Sequence, residues 1–214
     1  MTNALLQLLE AQYTLRELDV TDLATLKANG MTFTVRAFHA EGLGHVSVMR
    51  AKGFFGLMRM DTLMITPTER DLPLYSYDRI YAMGNDTLIV ELYDTLCKPC
   101  ELSAPDAVKA RFSHLPERDP GRHWYDSIKL AQSISKKGKK RITPELDALA
   151  IAHLQAYLQT ASQDAFDPKT KRRRSAAYVN GLLEQGGPST DAFIKALGKE
   201  TTARLFHDVL FGIS

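Results

Sequence analysis

Cysteine is nearly missing from these 214 residues, with only Cys97 and Cys100 present. Two thiols so close in sequence cannot staple distant segments, so a disulfide-built fold is excluded and an oxidising compartment is not implied. Long apolar runs are lacking too; none nears the roughly 20 residues that cross a bilayer as a helix. The leucines of the N-terminal MTNALLQLLEAQY are interrupted by Asn3, Gln7 and Glu10, unlike the core of a signal peptide. The reading is a cytoplasmic protein with no membrane partner. Charge of one sign is scarce: a net +2 exerts no global pull on nucleic acid or lipid, so only local clusters can. There is no internal repeat and no low-complexity segment.

What is present is an ordinary globular composition, 44% apolar and 24% charged. The chain reads as one domain over 1–214, strand-rich over 31–100 and helical over 143–214. Leucines at helical spacing predict a covering helix over 3–18, with another turn or two over 22–28 before Asn29 and Gly30. Five strands are expected at 31–40, 45–52, 57–66, 74–83 and 87–94, joined by connections rich in glycine, proline, Asn and Asp. Connections this short cannot carry parallel crossovers, so the block reads as an antiparallel meander.

Further on, 104–114 reads as a helix, 123–134 is ambiguous with room for a strand, and 135–141 reads as a charged loop. Thr143 is expected to cap a helix to about Thr160, with Pro144 at its first position. More helices are expected over 171–184, ending near Gly186, Gly187 and Pro188, then over 190–197 and 199–211. Strands first and helices after predict an α+β protein, an α/β/α sandwich whose central antiparallel sheet is covered by helices on both faces.

Asp78 sits in the middle of an alternating strand, where Asp is disfavoured and an ionised carboxyl is costly to bury. Ser76 shares its strand face; Arg59 and Asp61 share one on the preceding strand, and Glu91 faces with Ile89 and Tyr93 on the next. If those faces coincide, carboxylates and an arginine converge on an apolar sheet, a setting that raises a carboxyl pKa toward working pH. A solvated face or ordinary cross-strand ion pairs suit the same spacing.

The string Asp71, Leu72, Pro73, Leu74, Tyr75, Ser76, Tyr77, Asp78 resembles the DLP-(I/L)-(F/Y)-x-x-D stretch of the ferredoxin-dependent bilin reductases. A second similarity runs from Ala196 to Gly198, then through Arg204 to Phe206 and Val209, Leu210 and Phe211, so the resemblance spans residues 31–214. Leu197 stands where the family has an aromatic, and Gly212 where it ends on aspartate. The resemblance implies binding of a linear tetrapyrrole between sheet and C-terminal helices, with Asp78 as proton donor. It implies no bound flavin, nicotinamide or metal, because the bilin itself takes single electrons from reduced ferredoxin.

Counted from the motif, the histidine that partners the aspartate in some members falls on Asp61, and a second pocket histidine falls near Ser47, with His45 on the same strand face. The expectation is that Asp61 shares a proton with Asp78. A helix aspartate of several members falls near Gly187. Arg59 becomes the candidate for substrate propionates, with Ser47, His45, Ser76 and Glu91 as further binding residues.

An acidic ferredoxin wants a basic surface. Lys136, Lys137, Lys139, Lys140 and Arg141 form one run, and Arg172, Arg173 and Arg174 belong to another; both also suit solvated segments. No nucleic-acid-binding motif accompanies them, so nucleic acid is not an expected partner. Two further readings stand beside reduction: a non-catalytic tetrapyrrole or small-molecule binder on the same scaffold, and a thiol or metal protein using the Cys97–Cys100 pair, half of a zinc site.

Overall fold

The computed structural model describes residues 1–162, 166–187 and 189–214. In chain order the elements are α1 (Thr2–Glu10), β1 (Leu15–Leu18), β2 (Thr25–Ala28), β3 (Met31–Ala40), β4 (Gly44–Gly53), β5 (Met58–Pro67), β6 (Leu74–Ala82), β7 (Asn85–Tyr93), α2 (Ser103–Arg111), β8 (Ile134–Lys139), α3 (Thr143–Gln159), α4 (Pro168–Gln185), α5 (Thr190–Leu197) and α6 (Lys199–Arg204). The strands form one antiparallel sheet in the order β1-β3-β4-β5-β6-β7-β8. β1 and β2 pair opposite ends of β3. The expected meander is its centre.

Both faces of the sheet are apolar, and each is covered. On one, Val46, Val48, Leu63, Tyr75, Tyr77 and Leu88 pack against α1 and α3. On the other, Val35, Met49, Leu74 and Tyr93 pack against the segments from α4 to Phe211. The protein is therefore the α+β sandwich expected, helices flanking an antiparallel sheet.

Four local expectations are corrected. The N-terminal helix stops at Glu10, and the leucine spacing of 15–18 and the stretch 25–28 belong to strands; in β2 Leu26 and Ala28 are buried while Thr25 and Lys27 are exposed, a period of two. The charged 135–141 stretch is mostly β8, because Lys136 turns inward with Ile134 and donates to Leu115 O (3.0 Å) and Glu117 (2.5 Å). Thr143 is the first residue of α3 and not its cap; its hydroxyl donates to Asp86 Oδ2 at 2.5 Å. The last helix is α6 followed by a π-helical turn over Leu205–Leu210, closed by Phe211 N to Phe206 O at 3.0 Å. Pro188 lies outside the described residues.

Two buried ion pairs lock strands to helices. Arg79 and Asp86 have no exposed side-chain surface and meet at 2.6 Å between β6 and β7; Arg79 also reaches Asp147 on α3 at 3.2 Å. Lys171 on α4 lies 3.4 Å from Asp71, whose carboxylate accepts from the backbone of Cys97 and Lys98. Removing one partner of such a pair leaves a charge buried without compensation. Asp86→Ala is accordingly expected to lower unfolding free energy by about 3–5 kcal/mol in urea titrations, with Arg79→Met added to it recovering most of the loss. A loss within about 1 kcal/mol would show that water or Asp147 replaces the partner.

Candidate functional site

Antiparallel register decides which side chains share a face, since residues directly opposite each other project the same way. Met49, Thr62, Asp78 and Ile89 lie opposite one another across β4 to β7. Ser47, Met64, Ser76 and Glu91 form the next such row on that face. Asp78, Ser76 and Glu91 thus converge as the sequence suggests. They lie on the face covered by α4 and the C-terminal turn, where a cavity of about 300 Å³ opens, within the range of small-molecule sites.

Asp61 and Arg59 do not join them. Asp61 belongs to a row with Arg50 and Arg79 on the opposite face, 3.8 Å from Arg50 Nε, and cannot share a proton with Asp78. Arg59 is its neighbour on that face, its guanidinium 4.9 Å from the centre of the Tyr81 ring. Both residues belong to β5, whose pleat turns their side chains away from Asp78.

His45 and Ser47 face the same way as Asp78 yet are occupied by the chain itself. His45 Nε2 lies 2.8 Å from Val209 O, and Ser47 Oγ donates to Leu210 O at 2.7 Å. Burial pushes the His45 pKa down, so its imidazole is neutral. Gly212, where the resembling family carries aspartate, has φ of 58° and lies so close that a β-carbon would overlap the His45 ring. The close approach, together with the left-handed backbone, explains that departure.

Asp78 is the chemically distinctive group. Loss of water around the carboxyl lifts its pKa from 3.8 to about 6; the negative charge of Glu91 adds to the rise, and a 2.5 Å hydrogen bond from Thr62 Oγ1 opposes it. Near neutrality it exchanges its proton readily. Glu91 accepts from Tyr93 OH at 2.6 Å and lies 3.7 Å from Lys129 Nζ. Burial raises the phenols of Tyr93 and Tyr178 well above their usual range, keeping both protonated, and the two rings stack at 4.2 Å.

Several lining residues have no local signature in the sequence. Arg118 and His123 come from the connection between α2 and β8, and His123 stacks on Tyr125 at 4.8 Å. Met49, Met58, Met60 and Met64 also line the cavity, and their flexible thioethers make that part of its wall adaptable. The spacing of Met58, Met60 and Met64 along β5 is the one local sign of this wall that the sequence carries. Trp124 packs on Gly181 of α4, where any β-carbon would displace its ring, and donates to Gly186 O at 2.8 Å.

Other candidates lie elsewhere. Lys136 is buried, whereas Lys137, Lys139, Lys140, Arg141, Arg172, Arg173 and Arg174 are exposed. Cys97 and Cys100 are free and partly exposed; burial and the nearby Asp71 charge raise their thiol pKa values, which disfavours thiolate chemistry. Among the described residues, no group of three or more His, Cys, Asp and Glu could hold a metal, and no helix is long and apolar enough to cross a membrane.

The fold is similar to that of phytochromobilin synthase from tomato, solved in complex with biliverdin: the TM-score is 0.72 over 99% of this chain and 81% of that one, at 13% sequence identity. That likeness is one of fold. No protein-family model and no curated protein matches the sequence.

The raised Asp78 pKa has a stability consequence of defined sign. Between the unfolded value of 3.8 and about 6 the folded state binds more protons, so stability falls as pH rises through that window and the cost is fully present above it. Asp78→Asn is expected to stabilise the protein by about 1–3 kcal/mol at pH 7.5 and by little at pH 4, as read from urea unfolding. Equal effects at both pH values would remove the case for a neutralised carboxyl.

Proposed function

We propose that the cavity binds a linear tetrapyrrole and that the protein reduces it with electrons from an acidic, ferredoxin-like iron–sulfur protein. The observation that carries this reading is Asp78, a carboxyl with its pKa raised to about 6 on the floor of an apolar and tyrosine-walled cavity, in a fold shared with a protein solved with biliverdin.

In this reading the open-chain tetrapyrrole lies against the sheet, its conjugated surface on the methionines and tyrosines. Arg118, in place of Arg59, meets a propionate as it emerges toward the α2–β8 connection. Reduction of one double bond consumes two electrons, delivered singly by two reduced donor molecules, and two protons. Asp78 gives one proton to the substrate radical or anion and is reprotonated from solvent, which also supplies the second. The nearby Glu91 carboxylate, by repelling a second negative charge, favours the protonated form of Asp78 between turnovers. Arg172, Arg173 and Arg174 begin the helix whose Tyr178 and Leu182 line the cavity, so this exposed run suits the electron donor better than the lysine run.

The occupation of His45 and Ser47 by the C-terminal turn favours the second reading, binding without turnover, and one set of measurements separates the two. Biliverdin added to the protein is expected to give a shifted, sharpened absorption band, and Arg118→Ala to weaken binding about tenfold, consistent with a lost charged hydrogen bond. With reduced ferredoxin under anaerobic conditions, wild type is expected to bleach that band while Asp78→Asn retains it. No spectral shift defeats both readings; a shift without bleaching leaves the binder; bleaching by Asp78→Asn at the wild-type rate removes Asp78 as donor.

A further inference from the structure

One end of the sheet carries bulky apolar side chains in water. The β4–β5 connection places Phe54, Phe55 and Leu57 at 56%, 109% and 73% exposure, and the β6–β7 turn places Met83 at 90%. Gly53 pairs with Met58, Met58 with Ala82, and Ala82 with Asn85, so the two turns stand side by side.

The backbone there is unusual in the same places. Phe54, Phe55 and Met83 have φ of 52°, 54° and 51°, and among the described residues the only other non-glycine in that region is Asn29. Left-handed turns favour Gly or Asn because a β-carbon crowds the following carbonyl. Three large apolar residues occupy such positions without any burial to compensate, which points to a use for the side chains themselves.

Exposed cations surround the tips. Lys52 and Arg59 flank the first turn; Lys139 pairs with Asn85 beside the second, where Lys140 N donates to Gly84 O at 3.3 Å, and Arg141 follows. Nearby carboxylates are engaged elsewhere, Asp86 buried on Arg79 and Asp61 beside Arg50. No carboxylate pairs with Lys52, Arg59, Lys139, Lys140 or Arg141 among the described residues.

We infer that this end of the sheet docks on an anionic lipid surface, with Phe54, Phe55, Leu57 and Met83 entering the interface and the surrounding Lys and Arg side chains meeting headgroup phosphates. Two narrow convex turns present little area to a folded partner, which needs a broad complementary patch. A fluid interface needs only protruding apolar groups ringed by cations. The contact is peripheral and needs no apolar run long enough to span a bilayer.

The test uses the full chain with vesicles of phosphatidylcholine, alone or mixed with phosphatidylserine. Co-sedimentation with the mixed vesicles is expected, falling as salt rises and weak on phosphatidylcholine alone. The double variant Phe54→Asn, Phe55→Asn suits the left-handed backbone, so its circular dichroism and unfolding should match wild type while vesicle partitioning drops at least about tenfold. In Phe55→Trp, brominated lipid chains should quench an emission component that Trp124 alone does not show in wild type. The proposal is overturned if wild type ignores mixed vesicles at low salt, if the double variant binds as well, or if Phe55→Trp binds without quenching. Concentration-dependent dimers abolished by the double variant, or an acidic protein bound through the same tips by a chain that ignores vesicles, would also overturn it.

Discussion

The bidentate contact between Arg79 and Asp86, sealed beneath the start of α3, is the constraint from which the site follows. It joins β6 to β7 and ties both to a helix, so neither strand can slip without exposing or orphaning a buried charge. Because successive residues of a strand point to opposite faces, fixing Arg79 on one side fixes Asp78 on the other. Two adjacent charged residues thus receive opposite fates. One is neutralised by a partner and contributes rigidity; the other loses its water, lies near the Glu91 charge, and gains proton affinity.

The cavity wall follows from the same geometry. Strand rows set Thr62, Asp78 and Glu91 in fixed relation, while α4 and the α2–β8 connection supply the aromatic lid. The π-helical turn brings two carbonyls onto His45 and Ser47, so these two polar groups of that face are satisfied by the chain itself. A site of this kind holds its chemistry in rigid elements and its shape in adaptable side chains.

How far the sequence exposed this depended on the range of the physics involved. Alternation along 31–94 is local, and the five central strands fall within a residue or two of expectation. Asp78, Ser76 and Glu91 each read as projecting from a strand face, yet whether those faces coincide is a property of register, and it is register that puts Asp61 and Arg59 on the other side. Lys136 reads as a solvated lysine until the long-range acceptors Leu115 O and Glu117 are known. Arg118, Tyr125 and Tyr178 arrive by tertiary packing from segments whose local pattern says nothing about a cavity.

The sheet also divides the protein's apolar interior into two bodies, one with α1 and α3, the other with the C-terminal helices. Among the described residues the first contains none that line the cavity, so its packing acts as a reserve of stability independent of cavity shape. Substitutions that reshape the cavity at Met49, Met58, Met60 and Met64 are therefore separated by the sheet from the packing on its other face. In evolutionary terms the architecture separates persistence from innovation.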